Sequence, residues 1–303
     1  AQSQAPRHRP VRPTGNPGGP RVVAIGGGHG LAATLQAVRT YAGEVTAIVS
    51  VADDGGSSGR LREAFAIPAP GDLRRCLVAL GDPASVWVKA FEHRFDAGEL
   101  EGHALGNLVI AGLASAGGDF LAALDEAGRL LGAAGRVLPA TTTPVVLKAE
   151  TGGTEVRGQV AVAAAGHISK VSLVPPDAEV PAAALAALAR ADQVVLGPGS
   201  LYTSILAAAV VPALRRAIAD TAAQVVYVAN LRPQLPETAG YDVGDHVDAL
   251  LTHGIEPDVV VWDGQAMARG TIVVQQVPVA LARAGASGHD PARLAKALVD
   301  LLV

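Results

Sequence analysis

Cysteine is almost absent. Cys76 is the only one in 303 residues, so no intrachain disulfide can form, and a reducing, cytoplasmic setting is expected. Aromatic residues make up only 3% of the sequence while half of it is hydrophobic, so the core has to be built mainly from Ala, Val and Leu. Long apolar runs are missing too. The longest candidate, Ile205 to Val211, is stopped by Pro212 and falls far short of the ~18 residues of a membrane span. The first residues hold no apolar stretch of the kind a secretory signal needs. Excess positive charge is lacking, with a net charge of −4, which argues against nucleic acid as a partner. Several chemistries are absent as well. There is no Cys/His zinc spacing and no Gly-x-Ser-x-Gly elbow at a strand end. No Lys lies in a glycine-rich loop, which excludes a Walker A motif. Covalent catalysis has no obvious nucleophile, so the balance leans away from an enzyme without excluding one.

What is present is an alternation of strand-like and helix-like segments. Residues 1–20 are rich in Pro, Gly, Arg and Gln and read as a disordered arm, whose Arg7, His8, Arg9 and Arg12 suit an acidic partner or plain solvation. From residue 21 to 303 a single Rossmann-like domain is expected. Strands are predicted at Arg21–Ile25 and Val45–Val51, with a helix at Leu31–Arg39 between them. Helices follow at Leu73–Leu80, Leu105–Ala116 and Phe120–Leu131. A different stretch, about residues 141–175, reads as an antiparallel β insertion, with strands at Val145–Glu150, Glu155–Ala163 and Ile168–Leu173 joined by Gly-containing turns. The rhythm then resumes. Helices are expected at Ala182–Ala191, Ser200–Val210, Ala213–Thr221 and Val243–His253, and strands at Gln193–Leu196, Val225–Ala229 and Asp258–Trp262, the last of the core. A closing helix covers His289–Leu302, with Asp290-Pro291 as its start signal. The fold class is therefore α/β: a three-layer, doubly wound, mainly parallel sheet with a small antiparallel insertion.

Candidate site residues lie where predicted strands end, which is where open α/β sheets bind ligands. Gly26-Gly27-Gly28-His29-Gly30 follows the first strand and partly matches a dinucleotide fingerprint, with Ala33 in the third glycine position. Asp53-Asp54-Gly55-Gly56-Ser57-Ser58-Gly59-Arg60 follows the second. Its glycines offer N–H groups, its serines hydroxyls and Arg60 a fork for phosphate. Asp53 and Asp54 are the candidate metal ligands, since Mg²⁺ takes one or two carboxylates plus substrate phosphates; no cofactor is fixed, and Mg²⁺ is the one considered. Asp72 reads as the N-cap of a helix, beyond which Arg74 or Arg75 turns to an anion or to solvent. His103 and Asn107 sit one helical turn apart and can face one ligand. Gly197-Pro198-Gly199-Ser200 forms a further strand-to-helix turn, with Ser200 as N-cap and N–H groups suited to phosphate. Asn230 ends another strand, and Glu237 follows in a loop. The strand ends at Ile25, Leu196 and Ala229 are expected to converge on one crevice.

Taken in order, these motifs resemble the gluconeogenesis factor family (YvcK-like), within the superfamily of 2-phospho-L-lactate transferase (CofD-like). The resemblance runs from about Arg21 to the end of the sequence and includes Gly71-Asp72-Leu73-Arg74, His103 to Asn107, Leu201 to Ser204 and Glu237-Thr238. It implies a cytoplasmic protein tied to cell shape during growth on gluconeogenic carbon and binding a UDP-sugar; separately, a homo-oligomer is expected. The transferase branch implies the alternative, an Mg²⁺-dependent transfer of a phospholactyl group from a guanylyl donor. Three departures stand out. His29 replaces a frequent Thr, Pro236 replaces a glycine, and Gly288 replaces an Arg before His289-Asp290.

Overall fold

The computed structural model describes residues 16–283 and 288–302. The basic residues Arg7, His8, Arg9 and Arg12 lie outside the described residues. Residues 16–20, assigned to the arm by composition, pack on the domain. Asn16 Nδ2 donates to the Tyr41 carbonyl at 3.0 Å, and Gly43 N donates to Pro20 O at 2.9 Å.

The chain opens with strand β1 (Arg21–Gly26), helix α1 (Gly28–Val38) and strand β2 (Glu44–Val49). Five helices follow: α2 (Gly56–Phe65), α3 (Pro70–Leu80), α4 (Val86–Glu92), α5 (Leu105–Gly117) and α6 (Phe120–Leu131). They lead to β3 (Arg136–Pro139) and then to the insertion, made of β4 (Val146–Thr151), β5 (Thr154–Arg157), α7 (Gln159–Ala163) and β6 (Ile168–Val174). Helix α8 (Ala182–Arg190) and strand β7 (Gln193–Leu196) come next, then a π-helical turn (Leu201–Leu206) that runs into α9 (Ala207–Ala209). The last part holds α10 (Pro212–Ala219), β8 (Gln224–Val228), α11 (Val243–Thr252), β9 (Val259–Trp262), β10 (Gln275–Pro278) and α12 (Pro291–Val299).

Seven strands form one parallel sheet in the order β10-β9-β8-β7-β1-β2-β3. Helices cover it, so the central strands are buried on both faces and read as continuous apolar runs; β1 is buried from Val22 through Gly26. Strand order reverses between β1 and β7, where Ile25 pairs with Leu196. This switch point opens a crevice beyond the strand ends. The insertion forms a separate antiparallel sheet, β5-β4-β6.

The structure departs from the sequence reading in several places, among them α4, which that reading does not include, and the helix expected at Ser200–Val210, which is the π-helical turn and α9. Glu155–Ala163 is not one strand: β5 stops at Arg157, Gly158 turns at φ +95°, and α7 begins. The Gly56–Arg60 part of the acidic motif is the first turn and a half of α2. Strand β10 extends the sheet beyond β9, and its half-exposed edge residues carry little apolar signal. Strand β3 at the other edge is only four residues long. The closing helix starts as expected, with Asp290 accepting from Ala292 N at 2.9 Å and Arg293 N at 3.1 Å.

Candidate functional site

The strand ends at Ile25, Leu196 and Ala229 do converge. The loop after β1 packs directly on the loop after β7, because a Cβ on Gly30 would collide with the Pro198 carbonyl. Thr34 Oγ1 donates to Gly197 O at 2.6 Å. Asn230 brackets Gly199, accepting its N–H at 3.0 Å and donating to its carbonyl at 2.9 Å. Gly26, Gly27, Gly28, Gly197 and Gly199 are thus parts of one backbone junction, and Gly28 at φ +64° needs the left-handed freedom of glycine.

Several N–H groups of these turns are taken by the chain itself, Gly197 N by Ile25 O and Gly199 N by Asn230. Gly28 N donates to Asp72 Oδ2 at 2.8 Å, and Asp72 Oδ1 holds Arg75 at 2.7 Å. Asp72 is therefore not the N-cap of α3; that position is Ala69, and the carboxylate reaches across to the first glycine loop. Burial pushes the Asp72 carboxyl upward, against the pull of Arg75. Ser200 stands at the N-cap of the π-helical turn without a side-chain cap. Glu237 fills that role. Its Oε1 accepts from Tyr202 N at 2.8 Å and its Oε2 from Thr203 Oγ1 at 2.8 Å. Glu237 is 3% exposed, and burial raises its pKa. Its carboxylate is committed to the chain, not turned to a ligand.

Asp53 and Asp54 serve different elements. Asp54 accepts from Gln159 N and Val160 N, both at 3.0 Å, so it caps α7 and ties the insertion to the second glycine patch. Both of its oxygens are engaged. Asp53 Oδ1 accepts from Gly55 N at 3.0 Å, and its Oδ2 makes no hydrogen bond among the described residues. Those residues contain no cluster of three or more His, Cys, Asp or Glu placed to hold a metal. Within α2, Ser57 starts a buried relay. Arg74 Nε donates to Asn107 Oδ1 at 3.1 Å, Asn107 Nδ2 donates to Ser57 Oγ at 3.0 Å, and Ser57 lies 3.0 Å from His103 Nδ1. The Ser57 hydroxyl accepts from Asn107 and is shared with His103 Nδ1, so the state of the His103 ring decides which of the two donates. Burial, with Arg60 and Arg94 nearby, lowers the His103 pKa in agreement with a neutral ring. His103 and Asn107 share Ser57 rather than an open ligand face. Arg60 is exposed and donates to Glu101 O at 2.8 Å.

Beside this junction lies a cleft of about 720 Å³, a size that suits a small-molecule ligand. His29, Gly30, Arg74, Gly199 and Asn230 line it, as do Gln234, Gly288 and His289. Its charge comes from Arg74, Arg75, Arg94, Arg232 and Arg283, set against one acid, Glu92. Arg74 is the arginine that turns inward; burial lowers its pKa to about 10, and it also donates to Phe91 O. Desolvation and Arg75 lower the His29 pKa. Residues 53–60, His103, Asn107, Ser200 and Glu237 are not among the lining residues. Ser57, His103 and Asn107 reach the cleft only through Arg74. Sequence reasoning missed Glu92, Arg94, Arg232 and Arg283, which come from separate segments and form no local motif.

The sequence profile described as 2-phospho-L-lactate transferase CofD matches residues 22–296. The chain belongs to the CofD family. This family member is 44% identical over 246 residues to the Gluconeogenesis factor of Halalkalibacterium halodurans, covering 79% of this chain and 76% of that protein. It is 41% identical over 237 residues to the Gluconeogenesis factor of Bacillus subtilis, covering 77% and 75%. A crystal structure of a UPF0052 family member from Bacillus halodurans superposes with a TM-score of 0.87 at 36% identity, covering 92% of this chain and 98% of that one. The α/β fold with its small antiparallel sheet is thus that of a solved relative. No single helix among the described residues is long and apolar enough to cross a membrane.

Proposed function

We propose that this CofD-family protein is a cytoplasmic, non-catalytic factor that binds a UDP-sugar and supports cell shape and wall homeostasis during growth on gluconeogenic carbon. The observation that carries the binding part is the cleft beside the strand switch point, where five arginines face about 720 Å³. Phosphate groups are the ligand chemistry that arginine forks and a glycine-loop junction suit together. The names of the Halalkalibacterium halodurans and Bacillus subtilis relatives support the link to gluconeogenesis. Arg232 and Arg283 supply cleft charge on the side where Gly288 has no side chain to offer.

The test is calorimetry with UDP-N-acetylglucosamine and UDP-glucose. Saturable heat that Arg75→Ala weakens by about tenfold is expected; no heat with either ligand rejects the reading. The family description keeps a second reading in view, an Mg²⁺-dependent phospholactyl transferase. The residues fit the ion only in part. Asp53 Oδ2 is the carboxylate oxygen that would hold it, with ligand phosphate completing the shell, whereas Asp54 is occupied at α7. Bound Mg²⁺ would neutralise charge on a leaving nucleotide. Release of GMP from a guanylyl-phospholactate donor in the presence of a deazaflavin would favour that reading over the first.

A further inference from the structure

We propose that Glu92 makes the cleft select a sugar-bearing phosphate over a bare phosphate chain. The inference rests on the nucleotide-sugar reading and assigns its selectivity to one residue. Glu92 is the last residue of α4 and the single acid on a wall with five arginines. Three of those arginines already have chain partners. Arg74 holds Asn107, Arg75 holds Asp72, and Arg94 donates to Gly102 O. The Glu92 carboxylate makes no hydrogen bond and no ion pair with any described residue, and its charge reaches His29 and Arg74 only through space. It therefore does not serve to anchor an arginine.

A cleft that held only an anion would gain nothing from this carboxylate. One unit of like charge at about 7 Å in water costs a factor of roughly three in affinity. A carboxylate only accepts hydrogen bonds, so the group that suits it is a donor. Vicinal hydroxyls of a hexose present two donors to its two oxygens, and hydrogen bonds to an ionised acceptor are the stronger kind. Next to arginines that take phosphate, such an acceptor fits a diphosphate-linked sugar with free vicinal hydroxyls. Binding of the sugar and repulsion of the bare anion then come from the same side chain.

These two effects have opposite signs, which makes the test specific. The full chain and its E92Q and E92A variants are titrated by calorimetry with UDP-glucose, UDP-N-acetylglucosamine, UDP and pyrophosphate. Both variants are expected to bind at least one UDP-sugar about tenfold more weakly. UDP and pyrophosphate should bind unchanged or up to about threefold more tightly. Glu92 is exposed, so melting temperatures equal to wild type are expected and exclude misfolding. Retention of sugar affinity in both variants, or a common shift of all four ligands, overturns the role of Glu92 and leaves the nucleotide-sugar reading standing. Absence of binding of UDP and of both UDP-sugars to the wild type overturns that reading and the inference together.

Discussion

Replacing Glu237 with Ala removes a carboxylate that accepts from Tyr202 N at 2.8 Å, Thr203 N at 3.4 Å and Thr203 Oγ1 at 2.8 Å. All three partners are buried, since Tyr202 is 2% and Thr203 3% exposed. Each buried donor left without an acceptor costs about 1–3 kcal/mol. Relief from burying a charge offsets part of that total. The long Thr203 N contact also counts for less than the other two. A net loss of about 3 kcal/mol follows, and at ~2–4 °C per kcal/mol the melting temperature should fall by roughly 6–12 °C. The isosteric Glu237→Gln keeps the shape and one acceptor, so about 1 kcal/mol is expected.

The pH dependence adds a second check. Burial raises the Glu237 pKa in the folded chain. The stability that such a group contributes is fully present below the ordinary glutamate range and is lost as pH rises through the raised value. Glu237→Gln is always neutral, so its deficit relative to wild type should be largest in acid and should shrink toward neutral pH. Urea denaturation of the three proteins across that range measures both quantities. An Ala variant within about 1 °C of wild type would refute the capping argument. A Gln deficit that grows with pH would refute the burial argument.

Three further outcomes test the junction around the cleft. Gly30→Ala puts a methyl group against Pro198 O, whereas Gly28→Ala meets nothing within 4 Å and suffers only from its φ of +64°; urea denaturation should show a loss of about 3 kcal/mol for the first and about 1 kcal/mol for the second. Asp54→Ala uncaps α7 at a cost of about 1 kcal/mol, so the amides of Gln159 and Val160 should exchange hydrogen about fivefold faster while the main sheet keeps its protection. Ser57→Ala leaves the Asn107 amide and His103 Nδ1 without their shared partner, and should cost about 1–3 kcal/mol, read by denaturation, together with a changed tautomer balance at His103 in its ring nitrogen NMR shifts.

Much of the framework was legible because its causes are local. Unbroken apolar runs such as Val22–Ile25 mark strands buried on both faces, and glycines after them mark tight exits. The alternation therefore predicted the layered α/β fold, the order of most elements and the separate antiparallel insertion. It did not reveal β3 or β10, whose edge positions weaken the apolar signal. Glu155–Ala163 misled because Val156, Val160 and Val162 look like strand residues. The turn at Gly158 is enforced by Asp54, a partner from a distant loop.

The sequence by itself determined the family, the parallel core and which strand ends would carry glycine turns, since backbone conformation and burial are written in neighbouring residues. The tertiary structure alone decided what those turns hold. Asp72 and Gly28 are 44 positions apart, Glu237 and Tyr202 are 35 apart, and Asp54 and Gln159 are 105 apart. A carboxylate next to an N–H lowers its energy by accepting from it, whether the donor belongs to a ligand or to the chain, and only the fold brings one or the other within reach. The same holds for the arginines of the cleft, which line one wall only where α1, α3, the segment after α4 and the loops after β8 and β10 meet.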